Sequence, residues 1–599
     1  MNASFWKILT ISVSLIIGST GCVRVPHKNP AQHFSYFPAT SPQPNGRTAI
    51  PSAYLELADE QPEDHHLTLL EVGDDALLTR IHLIRAATES IDIQTFIWKE
   101  DEVTRVIYQE LLEAARRGVI VRVLVDALNP ISGNTRLAQM AVAHPNLEFS
   151  VFRPLSYYTE PGTINKLENL IMKMRRLNRR MHNKLLLVDD KVGIIGGRNY
   201  ENKYFDRNPV MIFKDRDILA TGPTTFHMNE MFEAFWKHKD SVYLTQFKDV
   251  QSRLPLELDE EFSLLQAGDR DSMQEVLALA NEQDLSLHRP ALAVNPIEHM
   301  GFFWDPPGKF KRRKDGYNNH YGDIISKVLE TANQQIILQS PYLIYQRKSK
   351  HLVYEIREKH PHLEIWFSSN SLAAADHDIV YGVSFKDRKK LYKGLGLEIF
   401  EFKPYPEDLL HYVPYYPSQS GLTPLEIEKE LQSGEFPTKL FTYGPKVTIH
   451  AKTFVVDDKF TQIGSHNFDP RSASLNTECG LVIEDEAFTK IIKSHILRDI
   501  SGGNSWVVAK KNKKESLRSK TSGFIGSISN FLPVFDIWPY TYTSNFELKP
   551  GFAPLPNTRH PDFYKHYRDV GQFPMVEKAR ERGRAKLMKG FGGWTSPFM

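Results

Sequence analysis

Two copies of one short residue pattern could do chemistry in this chain. In the first copy, His182 is followed by Lys184 and then by Asp189, with one and four residues between them. The second copy has the same spacing in His450, Lys452 and Asp457. A single His–Lys pair is more often part of a solvated strand, but a repeat of the whole pattern, each time before an apolar run, indicates a functional site.

The residue types of the repeat suit the cleavage of a phosphodiester bond. If the two copies met in one pocket, one imidazole could attack phosphorus while the other protonated the leaving alkoxide. The lysine ammonium groups would stabilise the charge that develops on the phosphoryl oxygens. Since these side chains supply the nucleophile, the proton and the positive charge, the pattern predicts a site without a metal or another cofactor.

Further site residues are predicted where the chain turns back. Alternation along a strand would place the histidine and lysine of each copy on one face, and the Asp-Asp-Lys sequences that follow predict hairpin turns. The returning strands end in small residues before Asn199 and Asn467, whose amides could bind phosphate. Each histidine also needs a carboxylate to fix its tautomer. The candidates are Glu478 beside the second copy and Asp215 or Asp217 in the first half.

The elements that must position these residues occur in two similar series. In the first, a helix that Asp74 or Asp75 can cap is followed by a strand at 90–98, a second helix and a buried strand at 119–125. The second series has helix and strand patterns at 321–332, 335–339 and 363–367. This order predicts the α/β fold class, with one fold used twice.

Composition narrows the class of protein. The chain has 599 residues, enough for two well-buried domains with appendages. A formal net charge of +2 gives no argument for bulk polyanion binding. Only two cysteines, Cys22 and Cys479, are present, which excludes a disulfide framework and a cysteine-rich zinc site.

The N-terminal residues predict export to a membrane. An apolar run at 8–17 follows Lys7 and precedes small residues and Cys22, which resembles a bacterial lipoprotein signal whose cysteine becomes lipidated. An uncleaved anchor helix is the alternative, although the run is short for a spanning helix. With Val23 after the cysteine, we expect a lipid-anchored protein of the bacterial cell envelope, on the periplasmic side and at the outer membrane rather than the inner.

The paired pattern resembles that of the phospholipase D superfamily, and its flanks are similar to those of bacterial C-type cardiolipin synthases over roughly residues 67–500. The similar segments are 176–184, 196–199, 204–206, 449–454, 463–472 and 476–478. The resemblance implies two phospholipase D-like α/β sandwich domains with mixed β-sheets, related by pseudo-twofold symmetry, with the active site at their interface. We therefore predict a signal at 1–22, a proline-rich tether at 23–60, domains at 61–285 and 286–500, and a basic C-terminal extension at 501–599.

The resemblance also implies roles for the site residues. His182 and His450 would be the nucleophile and the general acid/base, with His182 favoured as nucleophile. Glu478 and Asp215, which fits the family better than Asp217, would orient the histidines. The other residues would be the phosphate ligands Lys184, Lys452, Asn199 and Asn467 with Ser465 beside them, and the more structural Asp189 and Asp457.

Three other segments bear on substrate and membrane. Residues 370–376 follow the pattern of these synthases, but Tyr381 stands where they more often have histidine. Basic residues among apolar ones at 164–180 predict an amphipathic helix that either lies on anionic lipid or packs on the core. The basic loop 309–314 is predicted to be solvated.

The expected activity is phosphatidyl transfer, with cardiolipin made from phosphatidylglycerol. The alternatives are a phospholipase D that releases phosphatidic acid, a metal-independent nuclease, and a lipid-binding surface lipoprotein without activity. We expect phospholipid membranes and anionic lipid head groups as partners and no nucleic acid. Because one chain contains both copies, a monomer is expected to hold a complete site.

Overall fold

The computed structural model describes residues 49–126, 139–154, 158, 179–254, 263, 265, 268, 273–281, 294–309, 321–345, 347–512 and 542–576. The predicted signal with Cys22, most of the tether, and the amphipathic segment up to residue 178 lie outside these ranges. Within them, no helix is both long and apolar enough to cross a membrane.

A large mixed sheet forms in the first half of the chain. Its described residues contain the strands β1 His65–Leu70, β2 Ser90–Thr95, β3 Ile120–Asp126, β4 Leu147–Phe152, β5 Leu185–Val188, β6 Val192–Gly196, β7 Met211–Lys214, β8 Asp217–Thr221, β9 Ser241–Tyr243 and β10 Asn295–Ile297. All of these except β7 form one sheet in the order β10-β1-β8-β6-β5-β2-β3-β4-β9. The hairpin β5–β6 that follows the first His–Lys pair lies near its centre.

A second mixed sheet forms in the second half. Its strands and their neighbours are β11 His299–Trp304, β12 Gln335–Gln339, β13 Glu364–Asn370, β14 Glu398–Phe402, β15 Lys446–Ile449, β16 Thr453–Val456, β17 Phe460–Gly464, β18 Cys479–Glu484, β19 Ser505–Lys510, β20 Thr543–Leu548 and β21 Tyr567–Gly571. All except β15 form one sheet in the order β11-β18-β17-β16-β12-β13-β14-β19-β20-β21.

The two sheets repeat one topology. The order β1-β8-β6-β5-β2-β3-β4-β9 matches β11-β18-β17-β16-β12-β13-β14-β19 position by position. In each sheet three strands run parallel, namely β2-β3-β4 and β12-β13-β14, and their neighbours are antiparallel. The prediction of an α/β fold used twice is therefore confirmed.

Helices connect and cover the sheets. The described helices are α1 Ala49–Glu60, α2 Gly73–Ala86, α3 Glu102–Arg116, α4 Thr224–Trp236, α5 Lys248–Gln251, α6 Gln274–Ala280, α7 Tyr321–Glu330, α8 Arg347–Lys359, α9 Asp378–Lys389, α10 Leu409–Tyr412, α11 Tyr416–Ser420, α12 Pro424–Gln432, α13 Thr438–Tyr443, α14 Pro470–Ser474, α15 Glu486–Asp499 and α16 Phe563–His566. The helices α3 and α8 make equivalent crossovers, because parallel neighbours such as β2–β3 and β12–β13 need a long connection.

A shared core and a strand pair join the halves. One hydrophobic cluster contains Leu185 and Ile195 from the first half together with Val455, Ile463 and Leu481 from the second, all at most 2% exposed. In addition, β7 and β15 pair in parallel and form a two-stranded sheet of their own. Burying apolar surface from both halves in one core makes the halves one folding unit rather than two tethered domains.

Two features differ from the sequence predictions. Asp74 and Asp75 lie inside the first turn of α2 and do not cap it; the N-cap is Val72, and Asp74 instead forms an ion pair with Arg207 at 2.8 Å. The sheets also cross the predicted domain boundaries, because β10 follows residue 285 yet pairs with β1, and β19 to β21 continue the second sheet beyond residue 500. The described residues after 500 are thus part of the second sheet rather than a separate extension.

Candidate active site

Each histidine and lysine of the repeat lies in an extended segment just before a strand, and not within the strand as predicted. The strands begin only at Leu185 and Thr453. His182 is 7% exposed and His450 is 8% exposed. Each lysine ammonium group donates to the carbonyl oxygen of the histidine two residues earlier. Since β5 and β16 are buried throughout, they fix these segments in the shared core.

The two carboxylates that hold the histidines are exchanged between the halves. Nδ1 of His182 lies 2.8 Å from Oε2 of Glu478, and Nδ1 of His450 lies 2.5 Å from Oδ2 of Asp215. The sequence placed Glu478 beside the second copy and Asp215 in the first half, but each contacts the histidine of the opposite half. Asp217 instead forms an ion pair with the guanidinium of Arg80 at 2.8 Å. A carboxylate at Nδ1 leaves Nε2 as the reactive nitrogen of each ring.

Backbone contacts between the halves hold the first pair in place. The carbonyl of Arg180 accepts a hydrogen bond from Thr477 N at 2.9 Å, and the Thr477 carbonyl accepts one from His182 N at 3.0 Å. The Thr477 hydroxyl donates to Asn183 Oδ1 at 2.6 Å. The residue next to Glu478 is therefore tied to the residues on both sides of His182, which fixes the His182–Glu478 pair.

The His450–Asp215 pair is held by equivalent backbone hydrogen bonds between the halves. The carbonyl of Lys214, the residue before Asp215, accepts hydrogen bonds from His450 N at 2.8 Å and Ala451 N at 3.2 Å. These bonds continue the parallel pairing of β7 with β15, which ends at Lys214 and Ile449. The parallel pairing of β7 with β15 thus places Asp215 beside His450, the histidine of the other half.

Burial sets the charge of the histidines and lysines. Burial lowers the pKa of His182 to about 4, against the opposing charge of Glu478, and lowers the pKa of His450 to about 4 together with Lys452. Burial likewise lowers the pKa of Lys184 to about 7 and moves the pKa of Lys452 downwards. At neutral pH both imidazoles are therefore uncharged, and Nε2 of each is available as a nucleophile or base.

The carboxylates stay ionised in spite of their burial. Burial by itself would raise the pKa of Glu478, but the interaction with His182, which is protonated only at low pH, and the nearby His466 and Lys184 lower it to about 2. Lys452 and His450 outweigh burial in the same way and lower the pKa of Asp215. The carboxylates can stabilise a positive charge on the histidines, and the ammonium groups of Lys184 and Lys452 are the groups that can stabilise an anion. In the described residues, no group of three or more His, Cys, Asp or Glu side chains could hold a metal ion.

The predicted amide and hydroxyl ligands differ in their contacts. Asn199 donates through Nδ2 to the Tyr204 hydroxyl at 2.8 Å and accepts from Ile97 N at 3.2 Å, so its amide is engaged by protein atoms. Ser465 Oγ donates to Oε2 of Glu478 at 2.5 Å. Oδ1 of Asn467 has no hydrogen-bond partner within the described ranges. Ser465 therefore helps to hold the carboxylate, and a phosphate ligand role for the two asparagines stays a prediction.

The aspartates that end each copy contact backbone and not the histidines. Asp189 accepts hydrogen bonds from the backbone N–H groups of Thr88, Glu89 and Ser90 at 2.8–3.3 Å. Asp457 binds the equivalent groups of the second half, which are Asn333, Gln334 and Gln335. Both aspartates lie in hairpin turns at φ 51°, so their contacts are structural and anchor the start of β2 and β12.

Several residues around the site were not found from the sequence. The rings of Phe96 and Phe213 contact the two histidines, with centroids 5.0 Å from His182 and 4.6 Å from His450. Asp305 accepts a hydrogen bond from Glu478 N at 3.0 Å. Their positions follow from tertiary packing; the one local signal is that Phe96 comes directly after the strand β2.

Two basic residues, one from the predicted amphipathic segment and one from the predicted basic loop, are buried. Arg180, at the end of the predicted amphipathic helix, is fully buried and pairs with Asp126 at 3.0 Å. Lys309 binds Asp305 at 2.7 Å and the carbonyls of Ser472 and Asn476. The prediction of a solvated loop is wrong for Lys309, because its ammonium group satisfies buried acceptors beside the site; residues 310–314 lie outside the described ranges.

Comparisons with known proteins agree with this geometry. The family model described as "Cardiolipin synthase, PLD-like domain" matches residues 80–236 and 325–500, which include both copies of the repeat and more than half of the chain. A protein of Helicobacter pylori (strain ATCC 700392 / 26695) is 30% identical over 497 residues, which cover 81% of this chain and 88% of that protein. Cardiolipin synthase C of Escherichia coli (strain K12) is 29% identical over 503 residues, which cover 81% of this chain and 98% of the synthase.

Among solved structures, the phosphatidylserine synthase of Haemophilus influenzae Rd KW20 matches with a TM-score of 0.47 and 13% identity, and the match covers 76% of this chain and 92% of that one. The two matched segments contain the central strands of the two repeated sheets, from β2 to β8 and from β12 to β18, together with both histidines and both carboxylates. The chain belongs to the phospholipase D-like family of the cardiolipin synthases.

Proposed function

We propose that the chain transfers phosphatidyl groups through a covalent phosphohistidine, with phosphatidylglycerol as donor and cardiolipin as product. The observation that carries the proposal is the pair of His–carboxylate contacts, each made across the two halves. Two neutral imidazoles in one pocket with two lysine side chains are what a two-step displacement at phosphorus requires. The similarity to cardiolipin synthase C over 98% of its length supports a phospholipid substrate.

The first step uses His182 as the nucleophile. Its Nε2 attacks the phosphorus of the donor lipid while Glu478, held at Nδ1, stabilises the positive charge that develops on the ring. Lys184 and Lys452 neutralise the phosphoryl oxygens. The anionic phosphate also raises the pKa of His450, so that its Nε2 takes up a proton from solvent when the lipid binds and then gives it to the leaving glycerol oxygen. The products are a phosphatidyl group on His182 and free glycerol.

The second step returns the enzyme to its starting state. A hydroxyl of the acceptor lipid attacks phosphorus and gives its proton to Nε2 of His450, which Asp215 orients. The P–N bond breaks, and its electron pair returns to the His182 ring. If water replaces the acceptor, the same step yields phosphatidic acid, so the balance between synthase and hydrolase is decided by what reaches the intermediate.

The substrate requires access to a bilayer. We place the enzyme in the bacterial cell envelope, on the periplasmic side and at the outer membrane, anchored through a lipidated Cys22 and the tether after it. One chain supplies both histidines and both carboxylates, which supports a monomer as the active unit.

The test is the product formed from phosphatidylglycerol by the purified full-length protein. Cardiolipin and glycerol are expected, and His182→Ala should abolish both. Phosphatidic acid without cardiolipin would make the protein a hydrolase, and neither product would overturn the proposal. Digestion of DNA in the presence of chelator, lost in the same variant, would favour a nuclease instead.

A further inference from the structure

A buried carboxylate directly follows the first strand of each sheet. Glu71 comes after β1, which ends at Leu70, and Asp305 comes after β11, which ends at Trp304. The Glu71 side chain is 14% exposed and the Asp305 side chain is fully buried. Because β1 and β11 occupy equivalent places in the two sheets, the duplicated fold brings one such carboxylate to each half. A buried carboxylate is costly unless it is paired, so its partners indicate what it holds.

Asp305 holds the segment that carries Glu478. Its Oδ2 accepts a hydrogen bond from Glu478 N at 3.0 Å, and its own N–H donates to the Glu478 carbonyl at 2.9 Å. The same carboxylate oxygen binds Lys309 Nζ at 2.7 Å. This ammonium group also donates to the carbonyls of Ser472 and Asn476, both at 2.8 Å. Asp305 and its lysine therefore fix the backbone at and before the carboxylate that binds the nucleophilic histidine.

Glu71 holds the residues on both sides of Asp215. Its Oε1 accepts hydrogen bonds from Lys214 Nζ at 2.7 Å and from Arg216 Nη2 at 2.6 Å. The backbone N–H of Arg216 in turn donates to Oδ1 of Asp215 at 2.8 Å. The other oxygen, Oδ2, is the one that binds Nδ1 of His450. Glu71 therefore sets the direction in which the Asp215 carboxylate faces that ring.

Charge makes the contacts of both residues strong. Burial by itself would raise the pKa of Glu71, but Lys214, Arg216 and His495 lower it well below its ordinary value. Glu71 is therefore ionised at neutral pH, and Asp305 forms an ion pair with Lys309. Hydrogen bonds to an ionised group are about twice as strong as those between neutral groups. A neutral amide in either place should thus loosen the segment without changing its length or volume.

We propose that Asp305 and Glu71 are positioning residues, and that each serves a different one of the two histidines. Asp305 sets the His182–Glu478 pair, on which the attack at phosphorus depends. Glu71 sets the His450–Asp215 pair, on which proton transfer to and from oxygen depends. The proposal rests on the proposed function and adds to it two residues that act only through the site carboxylates.

A leaving group that needs no proton separates the two pairs. In phosphatidyl-4-nitrophenol, Nε2 of His182 forms the N–P bond while the O–P bond breaks, and 4-nitrophenolate leaves with the electron pair. Because this anion is stable, the step does not need a proton from His450. With phosphatidylglycerol the same N–P bond forms, but the leaving glycerol oxygen takes the proton from Nε2 of His450. The first substrate therefore tests one histidine and the second tests both.

The experiment uses the full-length enzyme with each lipid in mixed micelles. Stopped-flow absorbance gives the burst of 4-nitrophenolate, and cardiolipin formation from phosphatidylglycerol is measured per active site. For Asp305→Asn we expect both rate constants to fall by roughly ten- to a hundredfold, because the nucleophile is misplaced in both reactions. For Glu71→Gln the burst rate constant should stay within about threefold, while cardiolipin formation falls by roughly ten- to a hundredfold.

The burst separates positioning from stability. Its amplitude counts the folded, active enzyme, so a variant that is merely destabilised loses amplitude and keeps its rate constants. Asp485→Asn is the matched control, because Asp485 also accepts a backbone N–H, from Phe488 at 2.7 Å, but does so at the N-cap of α15. Asparagine caps helices as well as aspartate does, so both rate constants should be those of the wild type.

A second variant is available for each positioning residue. If Asp305→Asn fails to fold, Lys309→Gln removes the ammonium group that Asp305 binds and should lower both rate constants. If Glu71→Gln fails to fold, His495→Gln removes the ring that binds the second oxygen of Glu71 and should lower cardiolipin formation alone.

The outcomes are distinct from those of the proposed function. Wild-type rate constants in the variants, an equal fall of both rate constants in Glu71→Gln, or a burst that is slowed by Glu71→Gln and not by Asp305→Asn would each overturn the assignment while leaving phosphatidyl transfer intact. A wild-type enzyme that releases no nitrophenolate and forms no cardiolipin would overturn the proposed function itself.

Discussion

The His182–Glu478 and His450–Asp215 pairs combine two opposing electrostatic effects. Burial keeps each imidazole neutral at physiological pH. In the proposed reaction, the carboxylate at Nδ1 would stabilise the charge that the ring acquires. Neither effect would suffice alone. An exposed histidine would be partly protonated near its ordinary pKa, and a buried histidine without a carboxylate would resist the cationic intermediate.

Replacement of either carboxylate tests the exchange between halves. We expect Glu478→Gln and Asp215→Asn each to lower turnover by about 10²–10⁴, because each ring loses its counter-charge. With a radiolabelled donor and rapid quenching, label should be trapped on His182 in wild-type enzyme and in Asp215→Asn, and lost in Glu478→Gln. Glu484→Gln, at the far end of the strand β18 that follows Glu478, is the control and should behave as wild type. Label found on His450 would reverse the assigned roles.

The lowered pKa of Lys184 predicts how anion binding depends on pH. Its folded pKa is about 7, so its positive charge is present below that pH and is lost as the pH rises through it. The affinity for dimethyl phosphate, whose charge is constant over this range, should therefore fall by up to about tenfold per pH unit above pH 7. Calorimetry between pH 6 and 8.5 measures this fall. Lys184→Arg stays charged and should bind with a flatter profile; an equally flat wild-type profile would contradict the assignment.

At the scale of elements, each repeated hairpin is held in place at its turn, which is the end away from the histidine and lysine. The strands β5 and β16 leave the His–Lys segments and end at Asp189 and Asp457, which bind the N–H groups that begin β2 and β12. Each aspartate thus ties the hairpin to the central parallel strand at the end opposite the histidine. The aspartate that ends each copy of the repeat therefore makes structural contacts rather than contacts with the histidines.

Two isosteric variants separate a structural role of Asp189 from a catalytic one. Asp189→Asn exchanges a charged acceptor of several N–H groups for a neutral amide and should lower the free energy of unfolding by about 1.5–3 kcal/mol. The turnover number of the folded fraction should stay within about threefold. Asp190→Asn is the control, because Asp190 has a similar φ of 56° but an exposed side chain. Thermal unfolding and activity of the same samples give the answer; a loss of turnover without loss of stability would make Asp189 catalytic.

At the scale of the whole molecule, three successive residues of the first half reach into the second. Lys214 binds Asp499 at 3.0 Å, Asp215 binds His450, and Arg216 donates to Thr453 Oγ1 at 3.1 Å. Lys214 and Arg216 also share the carboxylate of Glu71. The active-site carboxylate therefore lies in the middle of a buried polar network that spans both halves, so site geometry and global stability depend on the same contacts.

Removal of one charge from this network should destabilise the whole chain. Lys214→Met leaves the buried Asp499 and Glu71 with less counter-charge, and we expect a loss of about 3–5 kcal/mol in the free energy of unfolding. Because the network spans both halves, denaturant unfolding should remain a single transition at lower denaturant. Lys490→Met, which removes an exposed lysine 61% accessible, should change the stability by less than about 1 kcal/mol. Two separate transitions in the variant would show that the halves fold independently.

The sequence by itself determined the duplicated fold and the residue types that the candidate site brings together. Two His–Lys pairs at equal spacing, each before an apolar run and a turn, fixed the residue types of the site, and hydrophobic periodicity placed β12 at its observed bounds, Gln335–Gln339. These predictions succeeded because strand alternation, turn chemistry and motif spacing are local properties of the chain.

The tertiary structure alone decided which residues meet. Sequence distance put Glu478 beside His450 and Asp215 in the half of His182, whereas the shared core and the β7–β15 pair exchange them. It also decided that Arg180 and Lys309 are buried. Such contacts depend on how two apolar surfaces dock across the molecule, and the pattern within either half contains no information about that docking.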